Sequence, residues 1–256
     1  MNESQRARRR ENLQRLLKPR HIAFVGGYAV EPCIAAARKA GFQGEIWAVN
    51  PKYETLGGVR CTGSLAELPE APDAALIAVS RERTIDVVGE LAALGAGGAV
   101  SIVGEYSESG ADGAALQERL VTAAGDLALV GPNCLGVMNQ FDGAAVWGGD
   151  NVFQSVAEQG VALISQSGYI AYSITNVEQA FPLAFPLGYA ISMGNQAVLD
   201  AADYIDAMLR DTRVRAIGLY LEGLVDVAAL SEAALQAVEH PLHQSHRLPC
   251  RASSGR

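Results

Sequence analysis

The 256 residues are 49% apolar and 19% charged and carry a net charge of −8, the composition of a soluble α/β protein with room for two domains. No apolar run approaches the roughly 20 residues of a membrane span, and the N-terminus lacks the apolar stretch of a secretory signal. Cys33, Cys61, Cys134 and Cys250 are scattered without disulfide or metal-ligand spacing, so a reducing, cytoplasmic setting is expected, with neither membrane nor metal as a partner.

Residues 1–17 form a basic arm. Across residues 1–20, Arg6, Arg8, Arg9, Arg10, Arg15, Lys18 and Arg20 against Glu3 and Glu11 leave +5 locally and −13 for the rest. Leu13, Leu16 and Leu17 mark that segment as a short amphipathic helix with a solvated basic face rather than a nucleic-acid contact. His21 to Val25 then reads as a strand, running through the Gly26-Gly27 turn into a helix over Pro32–Ala40. Further strands are expected at Glu45–Val49, Ala74–Val79, Ala99–Val103 and Leu127–Val130, with helices over Thr84–Leu94 and 112–124. This alternation predicts a doubly wound parallel sheet, because parallel neighbours need crossover connections.

Between Met138 and Gln159 the pattern weakens into Gly, Asn and Asp, which reads as an interdomain connection, and the first domain is expected to span 18–148. A second domain over 149–240 restarts the alternation. Its strands are expected at Val161–Ile164, Tyr189–Ser192 and Ala216–Leu221, and its helices at Gly168–Gln179, Ala197–Leu209 and Val227–Val238. Three βα units are fewer than a doubly wound domain usually has, so the second domain reads as incomplete, its open edge suited to a partner. Residues 241–256 lack apolar periodicity and read as a disordered tail. His240, His243 and His246 crowd around it without any Cys, Asp or Glu at ligand spacing, so no metal site is expected.

Several turns fall where ligands bind. Gly26 and Gly27 let the backbone approach a phosphate near a helix N-terminus, yet the third glycine of a dinucleotide fingerprint is missing. The second strand ends in Asn50-Pro51-Lys52 rather than in the acid that holds an NAD ribose; Lys52 suits a phosphorylated ligand, or is simply a solvated lysine. Ser165-Gln166-Ser167-Gly168 sits where a strand meets a helix, so Ser167 and Gly168 make either an oxyanion cradle or an N-cap. In Gly131-Pro132-Asn133-Cys134-Leu135-Gly136, Cys134 reads as a structural thiol, having no basic neighbour in sequence. Glu222 stands at a strand's carboxyl edge, as a ligand-facing acid or a turn residue.

Taken in order, Gly26-Gly27, Val49-Asn50-Pro51-Lys52-Tyr53, Leu56-Gly57, Leu68-Pro69, Pro72-Asp73, Gly131-Pro132-Asn133-Cys134-Leu135-Gly136, Ser165-Gln166-Ser167-Gly168, Met193-Gly194-Asn195 and Tyr220-Leu221-Glu222-Gly223 resemble the NDP-forming acyl-CoA synthetases, which include ADP-forming acetate–CoA ligase and the succinyl-CoA ligase α subunit. The resemblance runs from about residue 18 to about residue 240. It implies a Rossmann-type CoA-binding domain followed by a partial, flavodoxin-like doubly wound domain. It also implies that Gly26, Gly27, Asn50, Pro51 and Lys52 meet coenzyme A, and that Val79, Ser80 and Arg81 line the same cleft. Asn133, Cys134, Ser167 and Gly168 would cradle an acyl-phosphate or phosphohistidine, Tyr172 would face the substrate, and Glu222 would orient the phosphorylated histidine. In that family an acyl-phosphate forms, CoA attacks it, and phosphate passes through histidine to ADP or GDP.

The sequence departs from the family in two respects. Gly27-Tyr28-Ala29 replaces the commoner Ala-Ser-Arg, and the Ser-His-Thr-Gly-type loop and the ATP-grasp module are missing, as if the chain were C-terminally truncated. ADP or ATP with Mg would then come only through a missing module or an ATP-grasp β-type partner subunit. Alternative readings are a non-catalytic CoA-binding or regulatory module and an NAD-dependent oxidoreductase.

Overall fold

The computed structural model describes residues 3–149, 158–176 and 186–239. The expected disordered tail, its three histidines and the last residues of the expected helix to Gln179 lie outside the described residues.

The first sheet is built from β1 (His21–Gly26), β2 (Glu45–Val49), β3 (Thr55–Leu56), β4 (Val59–Thr62), β5 (Ala74–Ala78), β6 (Gly98–Ser101) and β7 (Ala128–Val130), preceded by helix α1 (Glu3–Leu17) and crossed by α2 (Glu31–Lys39), α3 (Arg81–Leu94) and α4 (Ala111–Ala124). Its order is β3-β4-β2-β1-β5-β6-β7, parallel apart from the β3–β4 pair. From β1 the chain runs outward through β2 to β4 and then crosses back to place β5 on the other side of β1, so a crevice opens beyond the carboxyl ends of these strands. β1 is buried along its whole length. Its helix α2 turns Cys33, Ile34, Ala36 and Ala37 inward, an apolar stripe at helical spacing. Helix α3 does the same with Thr84, Ile85, Val87, Val88 and Leu91, and it stops at Gly95, whose φ of 76° only glycine adopts freely.

The second sheet comprises β8 (Gly136–Asn139), β9 (Ala144–Trp147), β10 (Gly160–Ser165), β11 (Leu187–Ser192) and β12 (Val214–Tyr220), with helices α5 (Gly168–Thr175), α6 (Ala201–Leu209) and α7 (Val227–Glu239). Its order is β12-β10-β11-β8-β9, parallel in β10, β11 and β12 and antiparallel through β8 and β9. Part of the expected connection after Met138 is therefore a hairpin of this sheet, and the boundary expected at 148/149 falls behind that hairpin rather than before it. Every residue of β8 and β9 is buried, so alternation is absent and the strands resemble a loop in sequence. They supply two strands that the three βα units alone lacked. The expected start of α6 at Ala197 moves to Ala201, because Asp200 accepts from the Ala202 and Asp203 N–H groups and Asp203 returns a bond to the Asp200 N–H, a reciprocal cap.

The two sheets share a core in which Phe24, Leu76 and Val130 belong to the same cluster as Val146, Ile164 and Tyr204. Helix α1 is part of it. Leu13, Leu16 and Leu17 are buried, and the helix packs on β5, β6, β7 and β8. Several of its basic side chains are ion-paired rather than only solvated: Arg8 meets Asp126, Arg10 meets Asp206 of α6, and Arg15 meets Asp73 at 2.8 Å. The expected arm is thus a buckle across both domains.

Asp73 is buried and collects Arg15, the Arg20 guanidinium at 2.9 Å and the Arg20 N–H at 3.1 Å. Burial alone would raise its carboxyl, but the bonds from Arg20 and Arg15 outweigh it and hold it down at about 2. Asp142 is likewise held at about 2 against burial by bonds from Arg213, Asn139 and Lys18. Both carboxyls bind protons less readily when folded, so their stabilisation is complete above the ordinary carboxylate value and is lost as pH falls from about 4 through about 2. Urea midpoints should fall steeply across that window, and Asp73→Asn should cost about 2 kcal/mol at neutral pH while flattening the acid limb. A second prediction concerns Gly194, which has a φ of +59°. A Cβ there would strike the carbonyl oxygens of Pro132 and Asn133, so Gly194→Ala should destabilise the protein by roughly 2–4 kcal/mol in the same measurement.

Candidate functional site

Two clefts open beyond strand carboxyl ends. The first, of about 570 Å³, lies over β1, β2 and β5, and its lining includes Gly26, Gly27, Asn50, Pro51, Lys52, Tyr53, Val79 and Arg83. Its volume is within the range of small-molecule sites, and its walls are mainly apolar, set with a few polar groups. A Cβ on Gly26 would sit 2.7 Å from the Ala78 carbonyl oxygen and 2.8 Å from Val30, so this glycine serves strand-to-strand packing. Gly27 is different. A Cβ there would meet only the Tyr53 ring, at 3.5 Å, so its backbone faces open space.

Asn50 acts as a pin between the turns. Its Nδ2 donates to the Gly26 carbonyl at 2.7 Å, and its Oδ1 accepts from the Lys52 N–H at 2.8 Å. Both ends of the amide are needed, which an ionised acid could not provide. Lys52 forms no ion pair among the described residues, leaving a cation at the mouth of the cleft.

Ser80 and Arg81, expected in this cleft, do not line it. The Ser80 carbonyl accepts the Thr84 N–H at 2.8 Å as α3 begins, and Arg81 donates to the Glu105 carbonyl at 3.1 Å. Because α3 already starts at Arg81, the face turned to the cleft carries Arg83, Val87 and Glu90, about 200° round the helix from Arg81. Arg83 reaches Glu90 at 2.9 Å. Carrying the strand reading on through Val79 hid this helical periodicity.

The second cleft, of about 620 Å³, lies between the end of β7 and the ends of β10, β11 and β12. It brings together Asn133, Cys134, Ser167, Gly168 and Glu222, along with Gln166, Tyr169, Gly194, Asn195 and Glu108. Ser167 is the N-cap of α5, its Oγ accepting from the Ile170 N–H at 3.5 Å, so the cap falls where the cradle was expected. Gln166 Oε1 accepts from the N–H groups of Glu222 and Gly223 at 2.8 and 2.9 Å, fixing the Glu222 turn against the start of α5. The Cys134 thiol is buried and donates to the Ser101 carbonyl at 3.3 Å. Burial pushes it far above its ordinary value, which agrees with a structural rather than nucleophilic thiol.

Tyr172, expected on the substrate side, is not part of this lining. Tyr169, on the first turn of α5 and 78% exposed, lines the cleft instead. Glu108 was also missed. It lies in the short 3₁₀ turn Ser107–Ser109, and its carboxylate accepts from the Glu105 N–H at 2.7 Å and from the Asn195 side chain. Burial opposes its ionisation, but the Asn195 amide and the neighbouring N–H groups outweigh burial and hold it below the usual carboxylate range. Asn195 in turn accepts from Asn133 Nδ2 at 3.4 Å. The Glu-Tyr-Ser-Glu-Ser-Gly stretch after β6 carries polar residues at a strand's carboxyl end, the signal that marks Glu108 in retrospect.

Residues 20–140 match a CoA binding domain, and residues 158–242 match a succinyl-CoA ligase like flavodoxin domain. An ADP-forming acetate–CoA ligase I of Archaeoglobus fulgidus is 32% identical over 84% of this chain and 31% of its own length, and a trans-feruloyl-CoA synthase of an unknown prokaryotic organism is 30% identical over 89% and 33%. The chain thus spans about a third of these relatives, and about half of the ADP-forming acetate–CoA ligase II subunit alpha of Pyrococcus furiosus, to which it is 30% identical. Among solved structures, the apo form of a dinucleotide-forming acetyl-coenzyme A synthetase 1 from Ca. Korarchaeum cryptofilum superposes with a TM-score of 0.81 at 25% identity, over 89% of this chain and 50% of that one. The chain carries a CoA binding domain followed by a succinyl-CoA ligase like flavodoxin domain, and across both it is similar to ADP-forming acyl-CoA ligases.

Proposed function

We propose that this chain binds coenzyme A or an acyl-CoA in the first cleft and holds an acyl-phosphate in the second, as the CoA-handling part of an acid–CoA ligase. The observation that carries this reading is convergence. Four turns far apart in sequence, at Asn133, Ser167-Gly168, Gly194-Asn195 and Glu222, face one cavity beside the domain of the CoA binding type.

Coenzyme A fits the first cleft chemically. Gly27 offers backbone without side-chain obstruction, Lys52 offers a cation, and Asn50 holds the two at fixed spacing. In the second cleft, the first turn of α5 supplies N–H donors and a positive dipole end, with the Ser167 hydroxyl beside them. The Asn133 amide extends that donor set with the N–H it does not give to Asn195, while Asn195, whose own amide donates to Glu108, Ser107 and Gln117, holds Asn133 in place. Anionic phosphoryl oxygens are what such a donor set stabilises. Glu222 stands at the rim as the group that would receive and orient a cationic or protonated partner. ADP or ATP with Mg would be handled by an ATP-grasp partner or module, and the setting would be the cytoplasm.

Titration calorimetry tests the first half of this proposal. The chain should bind CoA and acetyl-CoA but not NAD, with an affinity that weakens as salt rises. Lys52→Ala should lower CoA affinity about tenfold, the loss of one charge-assisted contact, and should reduce the salt dependence. Absence of CoA binding to the intact chain would overturn the assignment.

A further inference from the structure

The glycine turn of the first cleft is followed by an aromatic side chain that core packing does not explain. Tyr28 opens the 3₁₀ turn Tyr28–Val30, and the Val30 N–H bonds back to the Gly27 carbonyl at 3.1 Å, so its position relative to the turn is fixed. Its side chain is 64% exposed, against complete burial for Val30 two residues later. The ring centroid lies 4.6 Å from that of Tyr53 with the planes 56° apart. Tyr53 lines the cleft and is the nearest neighbour of the open side of Gly27. Tyr28 itself lies outside the cleft lining, its exposed ring packed against Tyr53, which lines the cleft beside Lys52.

The place of this pair in the fold indicates what it would take. In a doubly wound sheet the glycine turn after the first strand receives phosphates, and the end of the second strand receives the sugar of the nucleoside. Tyr53 follows the end of β2 by four residues, which places its ring at the nucleoside end of the cleft, and the Tyr28 ring reaches that end from the glycine turn by packing against Tyr53. Aromatic rings beside a cation suit a planar base joined to a phosphorylated sugar. We propose that Tyr28 and Tyr53 form a base-stacking wall for the adenine of a 3′-phosphoadenosine group, with Lys52 meeting the adjoining phosphate. This rests on the CoA reading above and assigns the purine end of the ligand to a feature at which this chain departs from the usual turn of the family it resembles.

The experiment compares wild type, Tyr28→Ala and Tyr28→Phe in calorimetric titrations with CoA, adenosine 3′,5′-bisphosphate and 4′-phosphopantetheine. A thermal melt of each variant shows that it is folded. Tyr28→Ala should weaken CoA and adenosine 3′,5′-bisphosphate by about tenfold, the usual loss for one base–ring stack. It should leave 4′-phosphopantetheine unchanged, and Tyr28→Phe should restore wild-type affinity. Equal weakening of all three ligands, or no weakening of the two adenine compounds, would overturn the stacking wall while leaving the CoA assignment intact. Failure of wild type to bind CoA at all would instead remove the CoA reading and the wall together.

Discussion

The second cleft depends on a backbone junction between the two sheets. The Asn195 N–H bonds the Pro132 carbonyl at 2.9 Å, and the Ala197 N–H bonds the Gly131 carbonyl at 3.1 Å, so the turn after β11 is laced to the turn after β7. Gly194 makes this approach feasible, since its missing Cβ leaves space for the Pro132 and Asn133 carbonyls. Backbone bonds of this kind fix both partners in position and direction, which side-chain contacts do less well. Once the turns are joined, Asn133 and Asn195 stand within reach of each other, and the Ser192 Oγ accepts the Leu135 N–H at 3.0 Å just below them. Glu108 then sets the Asn195 amide from the first-domain side. A cavity built this way takes its shape from chain geometry rather than from rotamer choice.

Much of this was readable in the sequence because the strands end in turns whose residues are chemically distinctive. The strand ends at Gly26, Asn50, Asn133, Ser167 and Glu222 could be placed from local composition, and the sheet order brings them to two clefts. What could not be read was anything set by helix phase or by complete burial. Arg81 and Arg83 differ in which side of α3 they occupy, so phase decides which lines the cleft, whereas Tyr169 and Tyr172 share a face of α5 and only the one on the first turn is near enough to the cleft to line it. The β8–β9 hairpin escaped for the opposite reason. Strands buried on both faces lose the period-two signal, and its Asn, Gly and Asp residues looked like loop although Asn139 is buried and bonds the Leu17 carbonyl at 2.9 Å. A four-residue turn, Gln140–Gly143, between two short apolar runs was the usable signal.

Charge shows a similar division between composition and place. A segment with seven basic residues in twenty suggests a polyanionic partner, but Asp126, Asp206, Asp73 and Asp142 take up Arg8, Arg10, Arg15 and Lys18 within the fold. The basic residues therefore serve mainly to hold the N-terminal helix across the domains. The same holds for Arg213, which joins Asp142 of the hairpin turn to Asp211 before β12 and lies over the Phe141 ring at 4.6 Å. Of these pairs, Arg10–Asp206 and Lys18–Asp142 tie the N-terminal segment to elements of the second sheet, while the two clefts open at strand ends.

The common core beneath both sheets bears on how such a protein can be inherited. A segment that packs Phe24 and Leu76 with Val146, Ile164 and Tyr204 has no internal point at which a gene could be cut and rejoined to an unrelated neighbour without uncovering apolar surface on both sides. Its two domains, though separable by strand pattern, form a single cassette for recombination. Recombination that keeps this fold would then join new sequence only outside the pair, and the two clefts would be inherited together.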